Sequence, residues 1–179
     1  PAGVPPPGPD FSTRPAPMAL VEVDGDFDLR AEVDGGFLPG FEPAKWKNRT
    51  LSYIYQGAGL VLYEDRNNYI VIERAARSQP GRPSATSEVM IEVRSKGKAL
   101  GPFYEQAPEG PLVVRLLRDQ EAVRCMFGRD DTWFVTRPIA ARFAPKVRVG
   151  LIASNASKEP LAARFRRLGL RLEGVRAEE

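Results

Sequence analysis

The 179-residue chain contains no histidine. That absence removes imidazole acid–base catalysis, the Ser-His-Asp and Cys-His nucleophile systems, and imidazole metal sites. Cysteine is almost missing too: Cys125 stands alone, so no disulfide can form within the chain. No apolar run approaches the ~18 residues of a membrane-crossing helix. No phosphate-binding loop, dinucleotide fingerprint or nucleophile elbow occurs. Lysine is scarce (Lys45, Lys47, Lys96, Lys98, Lys146 and Lys158), so arginine supplies most of the positive charge, and the net charge is only +3. The arginines alternate with apolar residues along expected strands or stand beside Asp and Glu. That pattern reads as solvated sheet faces, not as the basic stripe of a nucleic-acid binder, so no nucleic acid and no membrane span are expected.

What is present is globular: 42% hydrophobic and 27% charged residues. Residues 1–18 form an expected proline-rich linker or leader, with prolines at positions 1, 5, 6, 7, 9, 15 and 17. Proline fixes φ and lacks an N–H donor, so this stretch reads as an extended tether. The chain does not begin with Met and shows no charged-then-apolar signal, which suggests a piece of a longer protein. A β-sandwich domain is expected over residues 19–175, with a tail at 176–179.

From Phe27 the pattern has a period of two. Phe27, Leu29, Ala31 and Val33 alternate with Asp28, Arg30 and Glu32, as in a half-buried strand, and Asp34-Gly35-Gly36 breaks it. Further strands are expected at Leu51–Tyr55, Ala58–Tyr63, Tyr69–Arg74, Glu88–Arg94, Leu112–Arg118, Ala122–Phe127, Trp133–Val135, Val147–Ala153 and Phe165–Leu172. Glu64-Asp65-Arg66-Asn67-Asn68 reads as a hairpin tip, with Asn67-Asn68 suited to positive φ. Ala75–Ser87 reads as a long polar loop, and a short helix is expected near Lys158–Ala163. Gly59 and Gly150, inside apolar runs, suggest bulges or close backbone approach. Many strands with turn signals between them indicate an all-β, two-sheet antiparallel sandwich with at most one short helix.

Three segments resemble a known family. They are Gly25-Asp26-Phe27; Ala58-Gly59-Leu60-Val61-Leu62-Tyr63-Glu64-Asp65 followed by Asn68-Tyr69-Ile70; and Val114-Arg115-Leu116-Leu117-Arg118 followed by Phe127-Gly128-Arg129-Asp130-Asp131-Thr132-Trp133. The last leads into Val149-Gly150-Leu151-Ile152-Ala153-Ser154. Together they resemble the concanavalin A-like (laminin G-like) sandwich domains of a family of unknown function, similar to the C-terminal sandwich domain of some β-xylosidases. Relatives often show Asp-Gly before the Trp, where this chain has Asp130-Asp131-Thr132. The resemblance spans about Asp24 to Leu172. It implies a jelly roll with one concave face and an association with carbohydrate among relatives.

Glycosidases on such folds place carboxylates on alternate residues of one strand. Glu22, Asp24 and Asp26 have that spacing, and Glu32 with Asp34 repeats part of it. Asp24-Gly25-Asp26 reads as a turn, however, and no third acid completes the set. No catalytic residue, metal ligand or cofactor is therefore assigned, although the same acids have the oxygen chemistry that Ca²⁺ takes.

If Tyr63 pairs with Tyr69, then Leu60, Leu62, Ile70 and Ile72 share the core face. The opposite face carries Tyr63, Val61, Val71, Tyr69 and Glu73, joined by Glu88, Met90, Glu92 and Arg94, and Arg115 from the later hairpin. Tyrosine rings stack on pyranose C–H faces while charged forks bind hydroxyls. The candidate ligand-binding residues are thus Tyr63, Tyr69, Glu73, Glu92, Arg94 and Arg115, with Trp46 and Trp133 at a rim. The expected function is a non-catalytic module that binds a poly- or oligosaccharide. The alternative is a protein-interaction or structural accessory domain of a larger protein, with no sugar ligand.

Overall fold

The computed structural model describes residues 16–40, 45–46, 49–50, 54–79, 84–120, 122–130, 132–139 and 142–173. The expected leader, apart from Ala16 to Met18, and the tail lie outside these residues. Two antiparallel sheets stack face to face. The larger has seven strands in the order β1 (Met18–Asp24), β13 (Lys146–Asn155), β5 (Ile54–Asp65), β6 (Asn68–Ser78), β7 (Thr86–Ser95) and β8 (Lys98–Ala99), with β9 (Phe103–Gln106) also pairing β7. The smaller has five, in the order β12 (Thr132–Val135), β11 (Ala122–Arg129), β10 (Leu112–Asp119), β2 (Asp26–Gly35) and β14 (Ala163–Glu173). A two-residue pair, β3 (Lys45–Trp46) with β4 (Arg49–Thr50), stands apart. No helix occurs among the described residues.

Alternation builds the core. Phe27, Leu29, Ala31 and Val33 of β2 face Leu60, Leu62, Ile70, Ile72, Ile91 and Val149 of the larger sheet, and all are buried. Each Leu, Ile or Phe so enclosed contributes about 1.5–3 kcal/mol. Tyr63 does pair with Tyr69, which fixes the inward parity at Leu60, Leu62, Ile70 and Ile72.

Four details differ from the sequence reading. The strands expected at Leu51–Tyr55 and Ala58–Tyr63 are one: residues 51–53 lie outside the description, and β5 runs unbroken from Ile54 through Gly57 and Gly59. The expected loop from Ala75 begins late, because β6 continues to Ser78 against Ile54–Gly57 and Thr86–Glu88. The helix expected at Lys158–Ala163 is irregular chain leading into β14, interrupted by Pro160, which has no amide hydrogen to donate. Asn67 and Asn68 do not take positive φ. Instead the Asn67 amide and the Asn68 side chain donate to the Asp65 carboxylate, at 2.6 and 3.1 Å, and close the tip.

The two glycines do mark close approach. A Cβ on Gly59 would lie 1.9 Å from the Ile72 carbonyl oxygen, and one on Gly150 1.9 Å from that of Ala19. Only Gly25, with φ +78°, separates β1 in one sheet from β2 in the other.

Candidate functional site

The outer face of the larger sheet is the most unusual surface of the molecule. Antiparallel sheets commonly give one face to water. Here the face away from the core is buried as well. Tyr55, Val61, Tyr69, Val71, Ala75, Met90 and Ile152 form a second apolar cluster, with Ala16, Leu20, Tyr63 and Tyr104 packed on it.

Carboxylates run through this cluster. Glu73 of β6 stands opposite Met90 of β7, so Glu88 and Glu92, two positions to either side, lie about 7–8 Å away on the diagonals. All three are enclosed, at 0–2% exposure. Glu73 accepts from two hydroxyls: Tyr55 Oη donates to Oε2 at 2.7 Å and Ser154 Oγ to Oε1 at 2.8 Å. Burial pushes its pKa up to about 7, against the pull of those two bonds. Burial, and then the neighbouring Glu73 charge, likewise raises the Tyr55 phenol. Tyr69 Oη donates to Glu92 Oε1 at 2.5 Å and accepts from Arg94 Nε at 3.3 Å. Its phenol is raised by burial and by Glu92. Arg77 forks onto Glu88 Oε2, at 3.0 and 3.2 Å. Glu88 Oε1 has no hydrogen-bond partner among the described residues, and burial raises this carboxyl too.

Above this row sits a rim of aromatic–guanidinium stacks. Arg77 lies over Tyr104 at 4.4 Å from the ring centre, Arg148 over Tyr63 at 4.9 Å, and Arg94 over Tyr69 at 5.9 Å. Glu88 thus holds Arg77 directly and Glu92 engages the Tyr69 hydroxyl that takes Arg94, while Arg148 reaches the Glu64 carbonyl oxygen at 3.4 Å. Gly57, Gly59 and Gly150 put no side chain on the adjoining floor, and the Tyr55 ring lies across Gly57.

The structure brings Tyr63, Tyr69, Glu73, Glu92 and Arg94 together on this face. Tyr69, Glu73 and Glu92 are enclosed, whereas Tyr63 and Arg94 are half-buried. Arg115 is elsewhere: it lies on the outer face of the smaller sheet, forked onto Asp28 at 2.6 and 2.8 Å. Trp133, 41% exposed, is on edge strand β12 of that same sheet. The backbone of Trp46 is in β3; its side chain lies outside the described residues. Sequence reasoning missed Tyr55, Arg77, Tyr104 and Ser154. The alternation of Val147, Val149, Leu151 and Ala153 as core residues points Ser154 outward and could have found it.

The acids near the chain start do not converge. Glu22 pairs with Lys146 in solvent at 2.7 Å, and Asp24 and Asp26 flank the corner at Gly25 in different sheets. Among the described residues no group of three or more acidic or thiol side chains is placed to hold a metal ion.

Solved structures share this architecture. A functionally unknown protein from Saccharomyces cerevisiae aligns with a TM-score of 0.67 at 15% identity, over 88% of this chain and 75% of that one. The likeness is one of fold. Bacteroides ovatus xyloglucan PUL GH43B aligns at 0.55 and 16% identity over 82% of this chain. The xylan β-1,4-xylosidase from Bacillus halodurans C-125 aligns at 0.52 and 14% over 83%. The chain spans only 27% and 28% of those two proteins. The concanavalin A-like sandwich expected from the sequence motifs is thus the observed fold, and it also occurs within GH43 proteins. No family model and no curated protein sequence matches the chain.

Proposed function

We propose that the sandwich, residues 19–175 behind a proline-rich tether, is a saccharide-recognition module that does no chemistry on its ligand. The carrying observation is the rim of three Tyr–Arg stacks on the face that also carries the buried carboxylate row. Rings offer apolar faces for sugar C–H groups, and guanidinium forks donate to hydroxyls. Tyr63, Tyr104, Arg77, Arg94 and Arg148 meet the sugar. Glu73, Glu88 and Glu92 act through the groups they orient, since they are enclosed and Glu73 has a hydroxyl on each oxygen. That enclosure is also why a catalytic role for these acids is not proposed.

Calorimetric titration with neutral xylo- and gluco-oligosaccharides tests the reading. Tyr63→Ala and Arg94→Ala should each weaken binding about tenfold, a loss of ~1.4 kcal/mol. Unchanged affinity in both variants would remove the face from consideration, and release of reducing ends would overturn the non-catalytic part. A second reading, a protein-interaction domain, is favoured by Trp133, Phe134 and Val135, three exposed apolar residues in succession on edge strand β12. Self-association abolished by Phe134→Lys would support it.

A further inference from the structure

The smaller sheet turns a second chemistry outward. Since Phe27, Leu29, Ala31 and Val33 point into the core, Arg30 of β2 points away from it, and the register places Arg115 of β10 directly opposite. Arg124 of β11 lies beside Leu117, and Arg171 of β14 beside Asp28. Four consecutive strands, β11, β10, β2 and β14, thus each bring an arginine to one band. Strands are spaced about 4.8 Å apart, so the band is about 15 Å across.

Some of this charge is neutralised within the protein. Arg115 is held by Asp28 at 2.6 Å, Arg166 reaches Asp34 at 3.6 Å, and Arg167 reaches Glu32 at 3.5 Å. Arg30, Arg124, Arg164 and Arg171 have neither an ion pair nor a hydrogen bond among the described residues. Arg30 lies across Gly169, where a Cβ would stand 3.3 Å from its Nε. Arg30 stands directly opposite Arg115, whose guanidinium Asp28 already engages, so Arg30 is left to an outside anion. At the end of the band Trp133 lies against Gly128, which has no side chain to cover the ring.

We propose that this outer face binds a carboxylated polysaccharide, a polyuronate lying across the strands with its carboxylates on the arginine band. Guanidinium and carboxylate are planar partners that pair through two parallel hydrogen bonds, and arginine supplies the cations on these four strands. Trp133 offers a ring face for one sugar. A nucleic acid fits less well. Among the described residues the face has no helix or protruding ribbon to enter a groove, and Trp133 is one platform where single strands use a series. The inference is independent of the Tyr–Arg rim, which lies on the far side of the core.

Affinity electrophoresis and calorimetry with polygalacturonate test it, with neutral xylan and single-stranded DNA as comparators. Polygalacturonate should bind at low salt and weaken as salt rises. The variant Arg30→Ala/Arg124→Ala/Arg171→Ala should weaken that binding about tenfold or more while melting with the parent, since these arginines hold no partner among the described residues. It should leave neutral-oligosaccharide binding as it was, whereas Tyr63→Ala should leave polygalacturonate binding as it was. The proposal is overturned if polygalacturonate does not bind at low salt, if the triple variant binds it as tightly as the parent, or if DNA binds as tightly as the uronate.

Discussion

Replacing Glu73 by glutamine should change how stability depends on pH more than it changes stability itself. The carboxyl has a pKa of about 7 in the folded protein against 4.5 for an exposed glutamate, and burial is the cause. Between these values the native state keeps a proton that the unfolded chain has released. Stability therefore falls as pH rises from about 4.5 to about 7, and stays lowered above that. A gap of about 2.5 pH units at 1.36 kcal/mol each makes the loss about 3 kcal/mol. Glutamine cannot ionise, yet it still accepts from one hydroxyl, and the other hydroxyl can turn to accept from the amide. Urea unfolding of parent and Glu73→Gln at pH 5 and pH 8 isolates this group, because the remaining carboxyls cancel in the difference. Relative to the parent, the variant should gain about 2.5 kcal/mol between the two pH values, part of the loss having already occurred by pH 5, or about 5–10 °C in melting temperature for a domain of this size. A difference that stays flat across this range would show that Glu73 is already ionised without penalty, and the buried-row account would fail.

Three more outcomes are expected. Gly150→Ala should destabilise by about 1–3 kcal/mol in thermal unfolding, because its Cβ would meet the Ala19 carbonyl oxygen at 1.9 Å, while Gly36→Ala, with open space around it, should be near neutral. Arg77→Ala should cost about 2–4 kcal/mol at pH 8 and less at pH 5, since it strands buried Glu88, which can escape by taking a proton; equal losses at both would contradict this. Cys125 is enclosed in the core and its thiol is raised by burial, so a thiol reagent should modify it only at the rate of unfolding.

The fold was legible because alternation is a local signal with a global consequence. Phe27 to Val33 and Leu60 to Ile72 each declare an inward parity, and every outward residue follows from it. The limits came from two sources. Glycine and alanine carry little pattern, so the expected strands stop at Tyr55 and Arg74, short of Gly57 and Ala75; Tyr55 is left at a strand end with no face assigned, and Arg77 falls in the expected loop. Sheet membership is also invisible to periodicity. Arg115 alternates just as Arg94 does, but β10 pairs β2 while β7 pairs β6, which puts them on opposite sides of the molecule. Nor does any local pattern reveal that both faces of a sheet are enclosed. That enclosure comes from residues far apart in sequence, Leu20 and Tyr104 among them, folding onto the same surface.

The corner at Gly25 sets an order of assembly. The hairpins from β5 to β7 involve residues 54–95 and can pair as soon as they leave the ribosome. The two halves of the first long strand must wait: β1 has its partner in β13, and β2 in β10 and β14. Until β10 is synthesised β2 has nothing to pair with, β1 must wait longer still for β13, and such long-range pairing is slow. The nascent chain would thus shape the tyrosine–carboxylate strands first and complete the arginine band last. A protein truncated before β14 would leave β2 with a bare edge, the kind of surface at which sheets from different molecules join.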